Sequence, residues 1–387
     1  MALMAKTRRP KGTGNIYKKG NRFYGRVRTG RYKADGKPEV VYFSGETKSE
    51  VQKKINQFDV ETHIDPLTTS FETYASNWLV LYKQPTIKAS SYDTLENTFK
   101  NQIYPYIGML RISEITTDDI QKMLNDIKQK GLSYSRVKKA RDGVNMVMQH
   151  ALKQRHIARD PMDGVKLPAE SSFPKKEMIW FSENESRLIV EECRRLYPNS
   201  ETPVYLYGEA YILQLHTGAR RGEIIALKKS DWDKANHILH IGKSAQTVKT
   251  RDENGKATGY ETVLTTTKTY SGDRRIPLND IAESALQRMC DKFPESDYIV
   301  CAKNGGVLAP QQYDRTFRRV LNHTKINRGS THALRHTFAN MLFHNKVDIK
   351  TISALMGHAS VQITLDTYIH FAEAEGYLAV KSLENIT

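Results

Sequence analysis

The chain has 387 residues, 39% of them hydrophobic, and carries 59 Lys and Arg against 43 Asp and Glu, a net charge of +16. That length allows two or three domains with real cores, and a surplus of that size favours a polyanionic partner, nucleic acid ahead of an acidic membrane surface. No run is apolar and long enough to span a bilayer and no signal peptide is expected, while Cys193, Cys290 and Cys301 lack CxxC spacing, against a disulfide framework or zinc ribbon and in keeping with a reducing cytoplasm.

The first segment, residues 1–63, opens on a basic arm from Lys6 to Gly14. Three β-patterned runs follow, Gly14–Tyr17, Arg22–Arg28 and Val40–Phe43, with turns predicted at Lys18–Asn21 and Ala34–Pro38. A helix from Thr47 to about Asp59 would carry Val51, Ile55 and Phe58 on one face. Residues 1–57 hold 15 Lys and Arg and 4 Asp and Glu, so most of the surplus sits in the smallest segment. Arg22, Tyr24, Arg26 and Arg28 share one face at period two. A basic, aromatic strand face of this kind suits a DNA groove; a solvated face with Tyr24 covering its neighbours is the plainer reading.

Residues 70–167 read as all helical. Phe71, Tyr74, Trp78 and Leu81 recur at helical spacing, as do Ile120, Leu124 and Ile127, and later Val144, Val147, Met148 and Ala151. Arg136, Lys138, Lys139, Arg141, Lys153 and Arg155 put positive charge on the later helices. Singly each is an ordinary solvated residue; together they suit a clamp on DNA, with Arg136 and Lys139 as candidate contacts. Ala158–Pro174, rich in Pro, Gly and Ser, predicts a linker. The third segment, residues 175–387, mixes helices with a β-rich insert near 237–277. The expected fold is therefore multidomain α+β: a small three-stranded sheet plus helix, a helical bundle, then a mainly helical catalytic domain with a β-hairpin or sheet insert.

The chemistry concentrates in the third segment. Attack on a phosphodiester needs a nucleophile in line with the leaving oxygen, donors for the developing charge, and an acid for the departing alkoxide. Arg220, in His216–Glu223, offers a planar fork for two phosphate oxygens, and Glu223, three residues on, can anchor it; a surface helix with i,i+3 pairing is the alternative. Thr265–Leu278 reads as a β-hairpin turning at Ser271-Gly272-Asp273, with Lys268 near the turn as a possible general acid. His332 and Arg335 lie three apart on a predicted helix, with Leu334, Phe338 and Leu342 on its core side. His332 and His336 lie four apart, but Ala333 stands where a metalloprotease has Glu, so no metal is expected and His336 reads as structural. A helix from about Asp348 should end at Gly357, placing His358 by backbone geometry. Tyr368 follows ten residues later; among 20 tyrosines, only its company makes it a nucleophile candidate.

Taken in order, Arg220, Lys268, His332-x-x-Arg335, Gly357-His358 and Tyr368 resemble the tyrosine recombinase (phage-integrase-type) family, over essentially the whole chain and most strongly over 205–370. The one departure is a polar insert, Thr250 to Glu261, longer than in the leanest members. The three-segment layout is similar to integrases of phages and conjugative transposons, which implies an N-terminal arm-type DNA-binding domain (1–63), a helical core-binding domain (70–167) and a catalytic domain (175–387). The resemblance implies that Tyr368 attacks the scissile phosphate to form a 3′-phosphotyrosyl bond, with Arg220 and Arg335 on the non-bridging oxygens. It further implies that Lys268 protonates the 5′ oxygen, His332 assists proton transfer at Tyr368, His358 donates a hydrogen bond and Glu223 orients the site. No cofactor is implied, because the covalent link conserves the phosphodiester energy. The implied partners are double-stranded DNA with core and arm sites and three further copies of the chain, exchanging strands through a Holliday junction. An excisionase and a host DNA-bending protein are the accessory factors it admits, in a bacterial cytoplasm near the nucleoid. The tail Ile369–Thr387 reads as a last helix or a regulatory dock. Alternatives are a chromosome or plasmid dimer resolvase, a type IB topoisomerase-like relaxase, and a sequence-specific DNA-binding protein without catalysis.

Overall fold

The computed structural model describes residues 15–32, 38–61, 68–174, 178–252, 255–266 and 272–365. Lys268, Tyr368, the basic arm, most of the Ala34–Pro38 turn and the tail 369–387 lie outside them, as do the side chains of Arg28 and Phe58. Two compact units result, Met1–Lys175 and Lys176–Thr387. The multidomain α+β reading holds.

In the first unit, β1 (Asn15–Lys19), β2 (Arg22–Tyr32) and β3 (Pro38–Gly45) form an antiparallel sheet. Register pairs Tyr17 with Tyr24, Tyr24 with Ser44, and Arg26 with Tyr42. Helix α1 (Lys48–Glu61) packs Val51 and Ile55 on the sheet together with Ile16, Phe23 and Phe43. Gly25 permits the approach, since a Cβ there would sit 2.6 Å from Ile55 Cδ1. Period-two alternation therefore leaves Arg22 and Arg26 exposed on the opposite face, where Tyr17 and Tyr24 stack with ring centroids 6.0 Å apart and Tyr42 is 65% exposed.

The helical part of this unit comprises α2 (Phe71–Trp78), α3 (Ala89–Thr98), α4 (Tyr104–Ile107), α5 (Thr117–Gln129) and α6 (Tyr134–Lys153), around its own apolar cluster. A capping box between Thr116 and Asp119 starts α5. One sequence expectation fails here: Leu81 is 44% exposed and Leu79 is buried instead. A π-helical turn over Leu79–Lys83 adds a residue to the period and rotates Leu81 outwards. The predicted linker also needs correction. Its Met162 and Phe173 join the apolar cluster, and α5 holds the segment through Gln121 to Lys166 and Lys128 Nζ to Ser172 Oγ at 2.9 Å. The Pro and Gly residues there shape a packed strap, which the helical unit includes.

The second unit contains α7 (Glu183–Cys193), α8 (Gly208–Thr217), α9 (Arg221–Ala226), β4 (Trp232–Asp233), β5 (Ile238–Ile241), β6 (Lys243–Arg251), β7 (Ala257–Thr266), β8 (Arg274–Pro277), α10 (Asp280–Lys292), α11 (Pro310–His323), α12 (Thr331–His344) and α13 (Ile349–Met356). Its core centres on α8, of which Ala210 to Leu215 are all buried. The β insert departs from the expected hairpin over 265–278. Strand β7 pairs back on β6, with the polar insert at their tip, whereas β8 joins a separate sheet of order β4-β5-β8. Gly272 and Asp273 thus precede β8 on the link between two sheets, and Ser271 lies outside the described residues. Alternation buries Arg274 and Ile276 of β8 on one side, Ile276 in the core, and β8 pairs antiparallel with β5.

Candidate active site

Two helix ends build the site. Helix α8 stops at Gly218 in the left-handed conformation, φ 61°, where a Cβ would sit 2.3 Å from Phe338 Cδ1. The chain then turns into α9 with Arg220 at its N-cap, and Glu223 Oε2 accepts the Arg220 backbone N–H at 2.8 Å. Helix α13, capped by Asp348 at its start, ends at Gly357, also left-handed, and delivers His358, as the sequence predicts.

Helix α12 starts from the Ser330 cap, whose side chain accepts from the His332 N–H, and runs between these ends. Its Arg335 is only 2% exposed. Nη1 donates to Gly218 O at 2.7 Å and Nη2 to Met356 O at 2.5 Å, so one guanidinium ties both helix ends. Arg220, with a side chain 39% exposed, donates from Nη1 to Glu223 Oε1 at 2.8 Å and from Nη2 to Gly357 O at 3.1 Å. The expected Arg220–Glu223 pairing is therefore present, within a buried network and not on a surface helix.

That network includes a residue which the sequence reading passed over. Arg274 is 8% exposed. It donates from Nη2 to Glu223 Oε2 at 2.8 Å and from Nε to Leu355 O at 2.7 Å. Burial raises the Glu223 pKa, but the Arg274 hydrogen bond and charge, with Arg220, outweigh it, and the carboxyl ends below its ordinary value. Burial first, then the Arg220 charge, push the Arg335 guanidinium well below its usual value, while Glu223 works the other way. His358 is driven down to about 4 by burial and by Arg335, Arg220 and Arg274, so its imidazole is neutral at pH 7. Its Nδ1 is hydrogen-bonded to Thr364 Oγ1 at 2.8 Å, which fixes the ring. Thr364 lies in helical residues 361–365, at the end of the described chain.

Arg220, His332, Arg335 and His358 line one open cleft of about 570 Å³, with Glu223 at its base. His336 lines it too, its ring 4.7 Å from that of His332, so the residue read as structural also faces the site. Ser244 and Gln246 of β6 and Thr265 of β7 form a polar wall. Two guanidiniums and a neutral imidazole around such a space can bind a tetrahedral anion and hold charge that develops on its oxygens. Among the described residues no group of three His, Cys, Asp or Glu is placed to hold a metal ion, and no helix is long and apolar enough to cross a membrane. Outside this site, Arg22, Tyr24 and Arg26 lie on the sheet face opposite α1, and Arg136 and Lys139 are exposed on α6.

Comparison with known proteins agrees with this geometry. Residues 180–375 match the phage integrase family, and 70–128 match the N-terminal SAM-like domain of phage integrases. A tyrosine recombinase XerC-like protein of Caldanaerobacter subterraneus is 24% identical over 96% of this chain and 98% of its own. Among solved structures, the Tn1549 transposon integrase with transposon right end DNA has the same fold over 80% of this chain and 99% of that one, at TM-score 0.63 and 19% identity. A lambda integrase tetramer bound to a Holliday junction aligns over 93% and 96%, at TM-score 0.57 and 17% identity. The chain belongs to the phage integrase family: it is a tyrosine recombinase, an enzyme that breaks and rejoins DNA strands.

Proposed function

We propose that this recombinase integrates and excises a mobile element or prophage by site-specific exchange through a 3′-phosphotyrosyl intermediate. The observation that carries the reading is the single cleft shared by Arg220, Arg335, His332 and His358. In this scheme a scissile phosphate occupies the cleft, its non-bridging oxygens held by Arg220 and Arg335 and by a hydrogen bond from His358. The Tyr368 oxygen attacks phosphorus as its proton leaves through His332; the bond from phosphorus to the 5′ oxygen breaks, and Lys268 supplies the proton that makes a 5′ hydroxyl. Rejoining reverses each step with a different 5′ hydroxyl, so the bond energy is conserved. Glu223 keeps Arg220 aimed.

Residues 1–63, 70–167 and 175–387 act in this reading as arm-binding, core-binding and catalytic domains. The basic, tyrosine-bearing sheet face supports the first assignment and exposed Arg136 and Lys139 the second. The lambda tetramer on a Holliday junction and the transposon integrase supply the precedent for four protomers and for a mobile-element role.

The test is covalent trapping on nicked double-stranded genomic fragments, followed by protein denaturation and sequencing of the retained DNA. Wild-type protein should retain a narrow set of sites through a peptide containing residue 368, and Tyr368→Phe should bind the same DNA without an adduct. Adduct at the wild-type level in Tyr368→Phe would sink the nucleophile assignment.

A further inference from the structure

We propose that Gln214 and Asp314 are positioning residues for strand cleavage: they set the separation of Arg220 and His332 by bracing the neighbours of the first to the residue preceding the second. The inference rests on the recombinase reading above and deepens it.

Gln214 is 0% exposed in the middle of α8. A buried amide is costly unless its donors and acceptor are matched, and this one is matched at every atom. Its Nε2 donates to Ala219 O and to Thr331 O, each at 3.1 Å, and its Oε1 accepts from Tyr313 Oη at 3.2 Å. Ala219 immediately precedes Arg220, and Thr331 immediately precedes His332. One planar amide therefore joins the residue before Arg220 to Thr331, which lies 117 positions after Gln214. Tyr313 is itself fixed, since Tyr211 Oη donates to its carbonyl at 2.8 Å and the two rings pack at 4.6 Å.

Asp314 repeats the brace one residue along α11. Its carboxylate pairs with Arg221, the residue after Arg220, and accepts from Thr331 Oγ1 at 2.8 Å. Both backbone neighbours of Arg220 are thus held to Thr331, one by an amide and one by a carboxylate. His332 is exposed on the second residue of α12 with its ring against that of His336, and this bracing places its backbone relative to Arg220. A leucine or methionine would fill the Gln214 volume and keep the core apolar, but it would offer none of the three hydrogen bonds. Asparagine at 314 would keep the shape but lose the charge that holds Arg221. Small displacements of such groups matter, because a misplacement of about 1 Å can cost roughly 100-fold in rate.

The experiment is single-turnover adduct formation by the full chain on the nicked duplex recovered by trapping, with DNA affinity and melting curves measured alongside. Gln214→Leu and Asp314→Asn should each slow adduct formation roughly 10- to 100-fold while DNA affinity stays within about twofold, a loss confined to the reacting state. In a His332→Ala background neither substitution should slow the reaction further, because the separation they set has lost one of its two members. A merely structural role would instead multiply the two defects. Asp314, at the edge of the fold with its side chain 31% exposed, keeps the test decisive if Gln214→Leu does not fold. Wild-type rates in Asp314→Asn, or the same slowing with and without His332, would overturn the inference. Failure of the wild-type chain to form any adduct would overturn the proposed phosphotyrosyl mechanism and this inference with it.

Discussion

Helices α6 and α12 both carry arginine, and they place it on opposite sides. On α6, Val137, Ala140, Val144 and Val147 face the core while Arg136 and Lys139 are exposed. On α12, Arg335 itself is inside, among Ala333, Leu334 and Thr337. Charge on the outside acts on phosphates through a screened field, and each residue contributes separately. Charge on the inside requires partners, and those partners fix its geometry. Positioning on DNA and chemistry on DNA thus call for different placements of the same residue types.

The largest expected effect that can break this comparison comes from Glu223→Ala. It leaves Arg274 buried without its carboxylate, and a broken buried pair costs roughly 3–5 kcal/mol; denaturant unfolding that shifts by less than about 1 kcal/mol would show that the inside charges are not interdependent. Next, Arg220→Ala should slow adduct formation about 10²–10³-fold, the range for one lost oxyanion donor. Its half-exposed side chain should make the stability change much smaller than that of Glu223→Ala.

A smaller effect concerns pH. The folded His358 value of about 4 lies below its ordinary 6.5, so the unfolded chain binds the extra proton more readily. His358 therefore lends no pH-dependent penalty above 6.5, and stability falls as pH drops from 6.5 towards 4. Melting temperatures of wild type and His358→Gln should converge or cross over that window, and the difference should be flat above pH 7. The smallest effect belongs to α6. Arg136→Ala or Lys139→Ala should change stability by less than about 0.5 kcal/mol and lower the salt slope of DNA binding by roughly 1 each. A large stability loss there would erase the contrast between the two helices.

Local patterns carried much of the structure. The sheet of residues 15–45, the Val51 and Ile55 stripe, the Arg220–Glu223 pair and the Asp348–Gly357 helix all follow from spacing, caps and turn chemistry within a few residues. Non-local choices were not legible. Period-two alternation says that β7 and β8 are strands, but it cannot say that β7 returns to β6 while β8 joins β5. The π-helical turn that exposes Leu81 leaves no mark in apolar spacing. Arg274 and Gln214 were missed because their partners lie 51 and 117 positions away, and an Arg or Gln in isolation has no signature of burial. Arg274 gave one faint signal, its shared parity with Ile276, which places it inward once Ile276 is accepted as core.

Arg335 has one further consequence. Its hydrogen bonds run to the carbonyls of Gly218 and Met356, at the ends of α8 and α13, where the peptide dipoles leave a partial negative charge. Dipoles orient a guanidinium without cancelling its charge as a carboxylate would. An incoming phosphate therefore meets an aimed cation whose hydrogen bonds run to carbonyls, with the Glu223 carboxylate acting on its charge from nearby. The work of stripping water from that charge is done when the protein folds, long before DNA arrives. The free enzyme is in that sense the strained partner, and an oxyanion in the cleft should relieve it.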